Sequence, residues 1–135
     1  MEINFNGYII NDNKKKLPID GVLKLLGETS WAKNRKKEVT LKSLKNSICI
    51  GVYKDIELIG FARIVTDYAT MYWLADMIIE KNHRKKGLGK KLVEIIINLK
   101  ELEGMFGILS TLDTHGLYEK YGFQIINNKI MWKDP

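Results

Sequence analysis

Arg84-Lys85-Lys86-Gly87-Leu88-Gly89 is the stretch on which the reading of this chain turns. Before it, residues 71–79 form a long apolar run of strand type. After it, Leu88, Leu92, Ile95, Ile96, Leu99 and Leu102 recur at steps of three and four. That spacing is one face of a helix. Lys90, Lys91, Glu94, Asn98 and Glu101 fall elsewhere on it, and Gly104 is expected to end it. The six residues therefore lie between a strand and a long helix. The first turn of a helix exposes backbone N–H groups and the positive end of a dipole, which together make an anion site. Gly87 and Gly89 allow close backbone approach, and Arg84, Lys85, Lys86, Lys90 and Lys91 add charge. A pyrophosphate is the expected guest.

Two commoner phosphate loops fail here. A Walker-type loop needs glycine where Arg84 stands and Ser or Thr where Lys91 stands. A dinucleotide fingerprint needs glycine at Leu92, and it follows a first strand, whereas three strands precede this loop.

Working outward, two apolar runs at residues 48–53 and 58–65 are joined by Lys54-Asp55-Ile56-Glu57, a hairpin-length connection. Asp67-Tyr68 marks the next turn. Toward the N-terminus, Tyr8–Asn11 reads as a strand. A helix opens at Pro18, carries Val22, Leu23, Leu25 and Leu26, and stops at Gly27. Val39, Leu41 and Leu44 suggest a second short helix. Toward the C-terminus, residues 106–109 read as a strand and 117–121 as a short helix closed by Gly122. Residues 123–126 and 129–132 read as a last hairpin around Asn127-Asn128. The order is β-α-α-β-β-β-α-β-α-β-β. Strand, long helix, strand implies a right-handed crossover and parallel pairing. The expected fold is an α/β (α+β) mixed central sheet flanked by helices.

The bulk properties agree with one globular domain. The chain has 135 residues, 45% apolar and 28% charged, with no repeat or linker and two prolines, Pro18 and Pro135. Twenty-two basic against 16 acidic residues give +6, which permits anionic partners without choosing among them. The single cysteine, Cys49, lies in an apolar run and excludes an intramolecular disulfide and a multi-cysteine metal site. No stretch reaches the ~18 apolar residues of a membrane span, and the N-terminus lacks a signal-peptide pattern. A cytoplasmic location, no membrane partner and no metal are the expectations.

Arg-x-x-Gly-x-Gly between a strand and a long helix resembles the acyl-CoA pyrophosphate loop of the GNAT (general N-acetyltransferase) superfamily. Leu117-Tyr118-Glu119-Lys120-Tyr121-Gly122-Phe123 is similar to its late Tyr-x-x-x-Gly-Phe signature. The element order matches over essentially the whole chain. The resemblance implies acetyl-CoA as cosubstrate and an acetyl-CoA-dependent N-acetyltransferase acting on an amine. It places the pantetheine arm on the backbone of Met77, Ile78 and Ile79, at a splay between two parallel strands. It places the pyrophosphate on the N–H groups of Lys85, Lys86, Gly87, Leu88, Gly89 and Lys90, with Arg84 and Lys120 near other phosphates. Tyr118 takes the position of the general acid that protonates the departing thiolate. A Tyr hydroxyl, with an ordinary pKa of about 10, suits a thiolate of about 8.5.

One departure is Thr111, where the family often has asparagine. An amine acceptor must lose a proton before it attacks. His115, Asp76, Glu80 and Asp67 are base candidates, and passage through water is the alternative. Asp113 reads equally as a helix N-cap, and His83 as an exposed loop residue. Trp31, Tyr68, Tyr72 and Trp73 are candidate acceptor-pocket aromatics, although aromatics at such positions are more often core. The region from Pro18 to Ser47, where the resemblance places acceptor specificity, is basic at residues 33–37. Two rivals make different predictions. A non-catalytic acyl-CoA-binding module would bind and not transfer. A basic nucleic-acid-binding domain would show a steep salt dependence, but no recognition helix or aromatic RNA motif is present. A strand edge near Trp132 leaves room for a homodimer.

Overall fold

The structure is a computed structural model and describes residues 1–111 and 114–135. Its frame is a six-stranded sheet whose spatial order follows the chain. The strands are β1 (Glu2–Phe5), β2 (Tyr8–Asn11), β3 (Ile48–Lys54), β4 (Glu57–Thr66), β5 (Met71–Ile79) and β6 (Phe106–Leu109). The first four pairings are antiparallel and β5 pairs with β6 in parallel. The helices are α1 (Ile19–Gly27), α2 (Lys37–Lys45), α3 (Leu88–Ile97) and α4 (His115–Glu119). The mixed sheet with flanking helices, and the parallel pair bridged by α3, are as expected.

Two elements differ from the sequence reading. The strand Glu2–Phe5 was not anticipated. It is turned back by Asn6-Gly7, both at positive φ (49° and 81°), the type I′ geometry that Asn-Gly favours. The second difference is the last hairpin, for residues 120–135 contain no strand. Asn128 does take a turn conformation at φ 60°. A lone hairpin is marginal without a third strand or a face to bury. Here Ile125, Ile126, Ile130, Met131 and Trp132 all remain exposed, and Trp132 packs edge-to-face on Trp73 at 5.6 Å.

Smaller shifts have local causes. The hairpin between β3 and β4 is tighter than expected, since Lys54 pairs with Glu57 and Asp55 takes φ 53°. The helix α3 stops at Ile97 because Asn98 leaves helical geometry, its side-chain amide donating to the Glu94 carbonyl at 2.8 Å. Leu99 and Leu102 nonetheless stay buried through a short 3-10 turn. The last helix begins at His115 and not at Leu117.

The core has two halves, one on each face of the sheet. On one face, Leu88, Leu92, Val93, Ile95 and Ile96 of α3 pack against Ile10, Ile50, Val52, Ala62 and Ile64. Complete burial of side chains like these contributes about 1.5–3 kcal/mol each. On the other face, Val22, Leu25 and Leu26 of α1 and Leu44 of α2 pack against Phe61 and Ile78.

A bulge in β5 positions the site. Arg63 pairs with Asp76 but Ile64 pairs with Leu74, so Ala75 is the extra residue. The insertion reverses which face each side chain meets. Tyr72 and Leu74 pack on the α3 side, whereas Ile78 packs on the α1 side and Met77 and Ile79 take over on the α3 side.

Candidate functional site

The parallel pairing of β5 and β6 runs only from Met71↔Phe106 to Leu74↔Leu109. Beyond the bulge, Asp76, Met77, Ile78 and Ile79 keep β4 as a neighbour and have none in β6. The sheet therefore splays open along the segment expected to hold a pantetheine arm.

Residues 80–87 carry the chain from this opening to α3. Glu80 stays tied to β4 through its N–H to the Ile59 carbonyl at 2.7 Å. Lys85 and Gly87 both take positive φ, 61° and 79°, and Gly87 is the N-cap of α3. No side chain caps this helix end and no acidic residue lies in its first turn. Among the described residues, the backbone N–H groups of Lys85, Lys86, Gly87, Leu88, Gly89 and Lys90 have no hydrogen-bond partner. The first bond of the helix end is Lys91 N–H to Gly87 O at 2.9 Å. This run of free donors at a positive dipole end fits a pyrophosphate. The Arg84 Nε instead donates to the Ile79 carbonyl at 2.9 Å, fastening the loop to the end of β5.

Gly89 brings the two sequence motifs together. A Cβ there would lie 3.8 Å from Leu117 Cδ2, so α4 rests against the start of α3. Tyr118 belongs to the same core half as Leu88 and Leu92, and its ring meets Phe123 edge-to-face at 6.0 Å. Burial pushes the Tyr118 phenol above its ordinary value, with a Thr114 hydrogen bond acting the other way. The hydroxyl thus carries its proton at neutral pH. Lys120, the C-cap of α4, is exposed.

A hollow of about 590 Å³ lies along the outer edge of β6. Tyr118, His115 and Thr111 line it together with residues 122–126 of the C-terminal run. It does not reach Met77, Ile78, Ile79 or the loop at 84–89. His115 shares this hollow with Tyr118, and Asp113 lies outside the described residues.

The base candidates differ sharply in environment. Asp76 is 1% exposed. Its Oδ1 accepts from Trp31 Nε1 at 2.8 Å and Arg35 Nη2 at 3.3 Å. Its Oδ2 accepts from Arg63 Nε at 2.6 Å and Arg35 Nη1 at 3.1 Å. Burial alone would raise this carboxyl's pKa, but the hydrogen bonds and charges of the two arginines outweigh it and hold the pKa down. A carboxylate so engaged is a poor proton acceptor. Glu80 contacts His83 Nε2 at 3.5 Å. Asp67 binds its own turn, accepting from the Thr70 hydroxyl and from the N–H groups of Thr70 and Ala69 at 2.8 and 2.9 Å, which lowers its pKa.

His83 departs from its reading as a bland loop residue. Its Nδ1 meets the Tyr8 hydroxyl at 2.9 Å, and the rings stack edge-to-face at 5.6 Å. The contact pins the loop before α3 to β2. The candidate aromatics scatter: Tyr72 is core, Tyr68 sits exposed in a turn, Trp73 meets Trp132, and Trp31 is 53% exposed over Asp76. Arg35 and Arg63 were not among the sequence-derived candidates. Among the described residues, no three His, Cys, Asp or Glu side chains converge as a metal site, and no helix is long and apolar enough to cross a membrane.

Residues 45–125, which hold the splayed strand, the loop at 84–89 and Tyr118, match the family model described as acetyltransferase (GNAT) domain. The chain belongs to the GNAT acetyltransferase family. Among solved GNAT structures, one from Xanthomonas campestris pv. campestris, described as belonging to this family, superposes with a TM-score of 0.90. It is 28% identical, and the match covers 98% of this chain and 96% of that one. The uncharacterized N-acetyltransferase ycf52 of Pyropia yezoensis is 25% identical over 128 residues, 90% of this chain and 73% of the relative. A GNAT acetyltransferase of Elizabethkingia anophelis, solved with acetyl-CoA bound, shares the fold with a TM-score of 0.68 at 17% identity, over 96% of this chain and 91% of that one.

Proposed function

We propose that this GNAT protein transfers an acetyl group from acetyl-CoA to an amine by direct attack within a ternary complex. The observation that carries the reading is the set of unpartnered N–H groups at residues 85–90, packed through Gly89 against the helix of Tyr118. Bound acetyl-CoA would supply an activated thioester.

The chain's own residues divide the remaining work. The N–H groups at 85–90 hold the pyrophosphate, and the side chains of Arg84 and Lys120 add charge nearby. The backbone of Met77, Ile78 and Ile79, free on its β6 side, holds the pantetheine amides and polarises the thioester carbonyl. Tyr118 donates its proton to the departing thiolate. Asp76 is taken up by its arginines, so it anchors structure and leaves proton removal to His115, Glu80 or water. The site is read as serving small-molecule or protein amines in a reducing cytoplasm.

Thermal unfolding with acetyl-CoA, free CoA and ATP tests this reading. Saturation to about 100 times Kd stabilises a fold by about 2.7 kcal/mol, several degrees in Tm. A shift with both CoA forms and none with ATP is expected. The absence of a shift at millimolar acetyl-CoA would sink the proposal.

A further inference from the structure

The cluster around Asp76 is unbalanced. It joins two guanidinium groups to one carboxylate, and among the described residues neither arginine has another acidic partner. All four contacts to the Asp76 oxygens come from Trp31, Arg35 and Arg63, so that carboxylate has nothing left to offer a substrate amine. The arginines do have donors left. Arg63 spends Nε on Asp76 and Nη1 on Ser47 Oγ at 3.2 Å, while Arg35 spends its two Nη atoms and not Nε. Their side chains keep 11% and 21% of their exposure, whereas the Asp76 side chain keeps none. Among the described residues, the Tyr53 hydroxyl is the only buried side-chain polar atom without a partner, so the unspent guanidinium nitrogens reach solvent.

The location matters as much as the charge. Asp76 immediately precedes Met77, at the level where β6 has stopped pairing with β5. The helix α3, whose N-terminus would hold the phosphates, packs on one face of the sheet. Trp31 and Arg35 come from the loop between α1 and α2, and α1 packs on the other face. A thioester threaded through the opening from the α3 side leaves the α1 side for the attacking amine. On that side stand a surplus positive charge and the half-exposed Trp31 indole, with Lys33 and Lys36 on the same loop. A cationic amine meets net repulsion there unless it brings its own anion.

We propose that the acceptor is an amine that also carries an anionic oxygen group, a carboxylate or a phosphate ester, docked on Arg35 and Arg63 beside Trp31. The inference rests on the acetyltransferase reading above. Guanidinium groups suit either anion through paired N–H donors.

The test uses matched amines with the full chain and acetyl-CoA, following thiol release. Lysine against cadaverine and tryptophan against tryptamine isolate the carboxylate, and phosphoethanolamine against ethanolamine isolates the phosphate. The anionic member of at least one pair should have a kcat/KM about ten-fold higher or more, as expected for a charged hydrogen bond. Arg35→Gln should raise its KM about ten-fold without moving the KM for acetyl-CoA, and Arg35→Lys should restore part of the loss. Arg63 still holds Asp76 in both variants, and the wild-type comparison needs no variant. Equal or better use of the members that lack the anion overturns the proposal. So does an unchanged KM in Arg35→Gln, or a chain that acetyl-CoA stabilises but that turns over no anionic amine. A chain that acetyl-CoA fails to stabilise loses the underlying acetyltransferase reading as well.

Discussion

The phenol of Tyr118 is 8% exposed, lines the hollow beside β6, and has its pKa raised by burial. Burial keeps the proton on the phenol at neutral pH, and the hollow leaves the hydroxyl open to a departing group. Tyr118→Phe keeps the ring and its Phe123 contact and removes the proton. It is expected to lower kcat by roughly 100-fold, while stabilisation by acetyl-CoA stays nearly unchanged in thermal unfolding. Cys49 makes the opposite case. It is 2% exposed, and burial pushes its thiol up to about 11. A disulfide exchange reagent at pH 8 should leave the native protein unlabelled and titrate one thiol after unfolding in guanidinium. Thiol release in a native assay then reports CoA alone. Residue identity was legible in sequence where a motif fixes it, as at Gly87, Gly89 and Tyr118. The partners of Asp76 were not, because Trp31 and Arg35 stand 45 and 41 residues away and meet it only across a folded sheet. His83 and Tyr8 are separated by 75 residues for the same reason.

Elements were legible to the degree that they are locally consistent. The face of α3 was read correctly because its apolar period continues through six turn positions, all buried. Its end was misplaced because apolar spacing continues into a 3-10 turn that buries Leu102 equally well. The first strand was missed although Asn6-Gly7 is a strong hairpin signal. The last hairpin has turn chemistry without a neighbour to complete a ladder. The start of α3 makes a sharper claim. Gly87 holds φ 79°, and a Cβ there would meet only ordinary contact with the Phe5 ring at 3.7 Å. The space would accept alanine; the backbone would not. Gly87→Ala is expected to cost about 1–2 kcal/mol, a fall of several degrees in Tm. It should also reduce the stabilisation gained from CoA, since the free N–H groups depend on that geometry.

For the whole molecule, the Asp76 cluster ties the loop between α1 and α2 to both β4 and β5. Removing its one carboxylate leaves two guanidinium groups facing each other. Asp76→Asn should destabilise the fold by about 3 kcal/mol, read from the midpoint and slope of urea unfolding. The pH dependence has a defined sign. The carboxyl pKa is lower in the folded chain than in the unfolded one. Its contribution is therefore fully present above the ordinary carboxylate value of about 4 and is lost as pH falls through the folded value. Wild-type Tm should drop more steeply than that of Asp76→Asn on acidification below about pH 4.

The strand order has a consequence in time. Each strand neighbours its predecessor in the chain, so a polypeptide growing from its N-terminus can lay every new strand on one already formed. Two steps require a long detour, β2 to β3 through α1 and α2, and β5 to β6 through α3. The loop at 84–89 and Tyr118 both follow β5. A nascent chain therefore owns five of its six strands, Met77–Ile79 included, before it owns that loop or Tyr118, and acetyl-CoA binding during synthesis should appear only after most of the β structure.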